Sequence, residues 1–188
     1  MLVLVTLLTG CIPDLTSPKT GECEAGTLEN AWPSVSPPGD LKGEGFGKGQ
    51  TILDGCLDDQ NGEKVAVYQF YSRVFVLDVS TIWCEPCQEL AGGLQTIADE
   101  FGPDEFSYLT VLPQNLEGDI PTTDQLLKWG SDFSISEPIL SDGTGYSAKI
   151  VTDNAFPKVL LVGRDMTLIQ RINPPSDDTI RDAILQSL

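Results

Sequence analysis

Residues 80–90 read STIWCEPCQEL, with Cys84 and Cys87 three positions apart behind Trp83 and with Glu85 and Pro86 between them. Cysteines at this spacing can hold a metal, staple a loop or exchange electrons with a partner's thiols, and their surroundings discriminate. Before them, VFVLDVS (74–80) is an almost continuous apolar run, the pattern of a strand buried on both faces of a sheet. After them, Leu90, Leu94, Ile97, Ala98 and Phe101 recur at helical spacing, and Gly102-Pro103 ends the pattern. Cys84 therefore falls just after a buried strand, and Cys87 in the first turn of a helix. Unpaired N–H groups and the helix dipole favour a thiolate at Cys84. Pro86 stiffens the first turn where its missing N–H costs little. Both sulfurs share one turn, which lets Cys84 attack and Cys87 resolve the mixed disulfide. A purely structural bridge here would remove little chain entropy.

The rest of the chain supplies a frame for that turn. Asn61-Gly62 separates two runs in TILDGCLDDQNGEKVAVYQF and predicts a two-residue hairpin turn. FSYLTVL (106–112) reads as a second buried strand, and TTDQLLKWGSDF (122–133) as a helix with a threonine or aspartate cap. A shorter helix is expected over 146–151, after an Asp142-Gly143 turn. KVLLVG and TLIQRI flank Gly163-Arg164-Asp165 as a second hairpin. SDDTIRDAILQSL (176–188) opens with a cap and acidic first turn and closes the chain as an amphipathic helix. Strands alternating with helices, then a hairpin and a helix, predict an α/β sheet covered by helices.

Composition excludes several chemistries. The 188 residues suffice for one domain and a tail. A net charge of −17 repels nucleic acid and anionic lipid, so no nucleic-acid partner is expected, although the acidity also serves solubility alone. The sequence contains no histidine, which removes His-based general bases, Ser-His and Cys-His nucleophile pairs and mixed imidazole–thiolate metal sites.

The chain begins MLVLVTLLTGCIPDL, an apolar run too short to span a bilayer and better read as the core of an export signal. Leu8-Thr9-Gly10-Cys11 resembles a bacterial lipobox, which implies cleavage after residue 10 and acylation of Cys11. No Lys or Arg precedes the apolar run, where such a signal normally has a basic segment. Residues 11–48, with SPPGD and GEGFGKG, read as a flexible tether ahead of a domain at 49–188, although Trp32 and Phe46 invite local packing. With Cys11 acylated, four cysteines remain. Cys84 and Cys87 are neighbours, which leaves Cys23 and Cys56 as a candidate structural disulfide in an oxidising compartment. A four-cysteine zinc site is the rival, though it usually shows two close pairs.

With these residues in view, DVSTIWCEPCQEL resembles the active-site segment of the thioredoxin superfamily. Its Trp-Cys-Glu-Pro-Cys form is similar to the membrane-tethered TlpA/ResA-like thiol–disulfide oxidoreductases. The resemblance implies a thioredoxin-like fold with a central mixed sheet, an N-terminal hairpin and a TlpA/peroxiredoxin-type insertion, the last matched by LLKWGSDFSISEPILSDGTGYSAKI. It implies that Asp78, six positions before Cys84, is a buried carboxylate that relays the proton of the resolving cysteine. It also implies that Pro157, in NAFPKVLLVGRDMTLI, is a cis-proline that faces the disulfide and pairs with substrate backbone. The bland alternatives are an edge-strand aspartate facing water, an ordinary proline at a strand start, and a Trp83 that only packs beside the dithiol.

Glu85 places negative charge beside Cys84, which disfavours the thiolate and makes the pair a poorer oxidant. Two positions depart from the family pattern. Lys158 stands where thioredoxins have threonine, and 106–112 lacks the lysine that partners the buried aspartate. Lys158 offers positive charge that would offset Glu85.

The resulting expectation is an extracytoplasmic, lipid-anchored thiol–disulfide oxidoreductase that favours reduction of protein disulfides. By analogy it would serve cytochrome c maturation or quality control of oxidative folding, recharged by a membrane-side thiol donor and without a cofactor. The rival enzyme is a peroxiredoxin-like peroxidase: Thr81-x-x-Cys84 echoes its motif, but Leu77 stands where its proline would be. A metal-binding module and a non-catalytic thioredoxin-fold binding domain are the further alternatives.

Overall fold

In the computed structural model, Cys23 and residues 28–188 are described. Seven strands, β1 (Cys56–Asp59), β2 (Lys64–Ala66), β3 (Val74–Val79), β4 (Phe106–Leu112), β5 (Ile139–Ser141), β6 (Lys158–Val162) and β7 (Leu168–Ile172), form one sheet. Three helices accompany them: α1 (Glu85–Phe101), α2 (Thr123–Phe133) and α3 (Asp177–Leu185). The strand order is β2-β1-β5-β4-β3-β6-β7. β3, β4 and β5 run parallel; β1 is antiparallel to β5, β6 to β3, and β7 to β6. This is the mixed α/β sheet that the sequence predicts.

Every residue of β3 and β4 is buried, as their largely apolar runs predict for central strands. Alternate side chains then sort the core into two layers. Val74, Val76, Tyr108, Leu112, Val159 and Leu161 pack beneath the helices with Cys87, Leu90 and Leu94 of α1 and Ile180 and Ile184 of α3. Phe75, Leu77, Val79, Leu109 and Leu160 face the other way, against Phe46, Ile52, Tyr146 and Ile150 from irregular segments. The local signals for the helices are concrete. Thr122 and Ser176 accept hydrogen bonds from Gln125 N–H and Thr179 N–H as caps of α2 and α3. Gly102, at φ +74°, ends α1.

Several boundaries differ from the sequence reading. The first hairpin turns through three residues, 60–62: Asp59 and Glu63 still pair, and Gly62 takes the left-handed position at φ +79°. The second hairpin also turns through three, 164–166, with Met166 at φ +66° where glycine would be easier. Val67–Gln69 leave the strand for a short 3-10 turn, in which the Gln69 side chain accepts from Ala66 N–H at 3.1 Å. The helix expected over 146–151 is a 3-10 turn at Ser147–Lys149. Its approach is built on Asp142, whose carboxylate accepts from the backbone N–H of Thr144, Tyr146 and Ser147. The insertion also contributes a sheet strand, β5, too short to register as a periodic run.

The tether expected over 11–48 is corrected from residue 28 onward. Trp32 Nε1 donates to Asp59 Oδ2 at 2.7 Å, and Val35 N–H donates to the Gln69 carbonyl at 2.8 Å. Phe46 is buried and meets Tyr146 edge-on at 5.5 Å. The few apolar residues of this Pro/Gly-rich stretch thus close one face of the sheet, which no α-helix covers among the described residues. The signal-like residues 1–10, Cys11 and the remainder of the tether except Cys23 lie outside the described residues.

Candidate active site

β3 delivers the chain to the edge of the sheet, and Ser80–Trp83 turn it into α1. Cys84 is the N-cap of α1, extended at φ −86° and ψ 112°, and its Sγ accepts the Cys87 N–H at 3.3 Å. The two cysteines form a disulfide with Cα atoms 5.2 Å apart. Cys87 is fully buried and Cys84 is 5% exposed, so Cys84 is the more accessible of the two. That asymmetry matches their chemistry: an outside disulfide can be approached only through Cys84. The helix N-terminus behind it adds the partial positive charge that a departing or attacking thiolate needs.

The neighbours of the dithiol come from distant parts of the chain. The Phe156–Pro157 bond is cis, and Phe156 stacks edge-on against Trp83 with ring centres 5.8 Å apart. Trp83 is 46% exposed and also donates from Nε1 to Gln114 at 3.3 Å, so it packs and presents a face to solvent at once. A second cis bond, Asn173–Pro174, precedes α3. Pro157, Pro174, Pro175, Pro86 and Leu90 line an open cleft of about 430 Å³ beside the dithiol, with Glu89 and Asp177 at its polar side. The Pro174-Pro175 wall was not anticipated. In sequence it reads only as a turn before the Ser176 cap, and it becomes part of the site through the antiparallel return of β7.

Asp78 is 1% exposed on β3, opposite Val159 of β6 and Thr110 of β4. Parity puts it on the helix-covered face with Val76, hence beneath the start of α1 and on the side of Cys87. Ser80 Oγ donates to Asp78 Oδ1 at 2.7 Å. Burial pushes the Asp78 carboxyl up from 3.8 to about 7, while the hydroxyls of Ser80 and Tyr108 pull in the opposite direction. Tyr108 Oη lies near Asp78 without the alignment of a full hydrogen bond, and it has no other partner among the described residues. A carboxyl poised near neutrality can accept a thiol proton and give it back.

Lys158 does not join this group. It opens β6 on the opposite face, paired in register with Val79, and its Nζ lies 2.8 Å from Asp153 Oδ2. Glu85 is exposed in the first turn of α1, and Pro86 stands beside it at the cleft. Cys23 and Cys56 form the other disulfide, with Cα atoms 4.9 Å apart at the start of β1, three strands away from β3.

No protein-family model and no curated protein matches the sequence. Solved structures do match in three dimensions. The thioredoxin domain of a thiol-disulfide oxidoreductase from Bacteroides vulgatus superposes with a TM-score of 0.64 at 12% identity, over 74% of this chain and 96% of that one. A thiol:disulfide interchange protein from Bacteroides sp. gives 0.63 at 12%, over 75% and 90%. The pneumococcal exposed lipoprotein thioredoxin from Streptococcus pneumoniae gives 0.59 at 18%, over 71% and 99%. At these identities the likeness is one of fold. The seven-stranded mixed sheet, its helices and these neighbours together give the chain the thioredoxin-like fold.

Proposed function

We propose that this protein is a thiol–disulfide oxidoreductase that reduces protein disulfides through Cys84 and Cys87. One observation carries the reading: an N-capping cysteine that keeps a little exposure is bonded to a fully buried partner one turn away, above a buried carboxylate and beside a cis-proline. In the reduced protein, the Cys84 thiolate attacks one sulfur of the substrate disulfide. The other substrate sulfur leaves and takes a proton from solvent. Asp78 removes the Cys87 proton, and the Cys87 thiolate attacks Cys84 Sγ, which expels the second substrate thiolate. Two electrons pass from the dithiol to the substrate, and Cys84–Cys87 ends as a disulfide.

The reducing direction is supported by the charges around Cys84. Glu85 stands exposed beside it, and the cation that might have offset that charge, Lys158, is engaged by Asp153 on the other face. An oxidising compartment is supported by the Cys23–Cys56 disulfide, a kind of bridge that persists outside the cytosol. A lipid on Cys11 would hold the domain at a membrane, where a thiol donor returns the Cys84–Cys87 disulfide to the dithiol. The substrates are disulfide-bearing proteins of that compartment.

The reduction potential of the Cys84–Cys87 couple tests the direction. A value close to that of thioredoxin, about −270 mV, supports a reductase, whereas one close to the strong oxidants, about −120 mV, overturns it. Insulin reduction by the full chain tests the activity itself, and lipid labelling lost in Cys11→Ala tests the anchor.

A further inference from the structure

Glu89 and Asp177 stand at the cleft beside the dithiol with no cation to answer them. Arg181, the only Lys or Arg of α1 and α3, is taken by Glu100 at 2.6 Å and by Asp178 at 3.3 Å. Neither Glu89 nor Asp177 forms an ion pair among the described residues. Glu89 follows Glu85 by four positions, so both carboxylates lie on one face of α1 as a like-charge pair, which weakens a helix. Asp177 arrives from the first turn of α3 and comes against α1 at Gly93, where any Cβ would collide with its carboxylate. The walls of the cleft are of another kind. Pro86, Pro157, Pro174, Pro175 and Leu90 are apolar, and the proline rings fix their own backbone, so the cleft is formed before anything enters it.

The bland explanations are helix capping and solubility. Acidic residues suit the first turn of a helix, but Glu89 lies beyond the first turn of α1. In α3 the Ser176 cap and the outward Asp178, 95% exposed, already serve that end. Solubility is indifferent to place, and so accounts for the net charge of −17 without accounting for carboxylates on an apolar cleft. Apolar walls with an anionic rim match a side chain that has an apolar stem and a cationic head, which is lysine or arginine. A purely apolar side chain would shield the rim charges from water and leave them unpaired, and an acidic one would meet like charge.

Resting on the exchange reading of Cys84–Cys87, we infer that the cleft is a subsite for a lysine or arginine of the substrate polypeptide, close in sequence to its disulfide-bonded cysteine. The stem lies along Pro174, Pro175 and Leu90, and the cationic head meets Glu89 and Asp177. Pro86, which stands between the two cysteines, is one wall of the cleft, so a side chain held there belongs to a near neighbour of the attacked sulfur. Glu85, exposed at the start of the same helix, adds to the field that draws the cation in. The substrate class is therefore disulfide-bearing polypeptides with basic residues beside the cysteine. The cation takes no part in the bond changes; it holds the substrate sulfur at Cys84 and selects which disulfides arrive there.

The test is the rate at which the reduced full-length protein opens three cyclic disulfide peptides, alike except for lysine, norleucine or glutamate flanking each cysteine. Norleucine keeps the stem of lysine and lacks its charge. At low ionic strength the lysine peptide should react about tenfold faster than the norleucine peptide, and the glutamate peptide about tenfold slower. In Glu89→Gln/Asp177→Asn the lysine-to-norleucine ratio should fall to about twofold or less. Asp104→Asn/Asp182→Asn removes the same net charge from outside the cleft and should keep the parental ratio. A ratio lost equally in both variants would assign the preference to the overall field and overturn the subsite. If the first variant fails to fold, Glu89→Gln alone, at an exposed position, should still lower the ratio, and an unchanged ratio there overturns the subsite. A disulfide-free lysine peptide should also shift the carboxyl carbon resonances of Glu89 and Asp177 in the oxidised protein, whether or not exchange occurs. If the parent opens no peptide while those resonances shift, the functional reading falls and the subsite stands. If the parent opens all three peptides alike, the subsite falls alone.

Discussion

The two disulfides of this protein use the same bond for opposite ends. Cys84 and Cys87 are three residues apart at the free start of a helix, so their bond restrains little chain and can be made and broken with almost no refolding. Cys23 and Cys56 are 33 apart, and their bond fastens an irregular segment to a strand held on both sides by β2 and β5. One has a carboxyl near neutrality beneath it and a cleft beside it; the other joins the N-terminal segment to β1. In the proposed exchange, reactivity is a property of place, since the atoms joined are identical.

That contrast can be broken experimentally, and the first way has the largest expected effect. Cys84→Ser should lower insulin reduction by about a thousandfold or more, while a Cys23→Ala/Cys56→Ala double variant keeps most of the parental rate. Equal losses in the two would erase the distinction.

Asp78→Asn separates the sites next, through pH. The folded protein holds the Asp78 proton up to about pH 7, whereas the unfolded chain sheds it near 3.8. Stability from this group is therefore full below pH 3.8 and is lost as pH rises through 7. The variant should gain on the order of 4 kcal/mol over the parent above neutrality and nothing at the acid end, read from urea midpoints at each pH. It should also resolve mixed disulfides slowly, with no pH step near 7. The double alanine variant should behave oppositely: a loss of about 3–4 kcal/mol at all pH values, in the chain-entropy view.

The smallest effect sharpens what the second disulfide holds in place. Trp32→Phe keeps the ring but leaves Asp59 without the indole N–H. A loss of about 1–2 kcal/mol in urea unfolding, with insulin reduction unchanged, would mark residues 28–48 as part of the folded unit and separate from the chemistry.

The legible part of the molecule was that in which a local pattern has a local consequence. An apolar run before Cys84 and a helical period after it fix a strand, a turn and a helix, and the two cysteines follow from that geometry. The fold class came from the order of such segments. Residues 28–48 were misread because their packing depends on single contacts, Trp32 to Asp59 and Phe46 to Tyr146, scattered through a Pro/Gly-rich stretch with no period. β5 escaped because three residues cannot display one. The wall of the cleft at Pro174 and the place of Tyr108 near Asp78 were invisible for another reason. Their meaning arises from register and from the approach of two helices, and nothing in the immediate sequence of each residue records either. The placing of Lys158 differed similarly: its distance in sequence from the cis-proline Pro157 is one residue, yet strand alternation sends it to the other face.

The N-terminal disulfide has a mechanical consequence. For a chain held from its first residues, tension arriving at Cys23 crosses directly to Cys56 and enters the sheet at β1, a strand clamped between two neighbours. The disulfide is a covalent bypass, and residues 28–55 bear none of that load. The Trp32 seat, the Val35 bridge and the Phe46 contact can therefore rest on individually weak interactions, because a pull from that end is never felt by them.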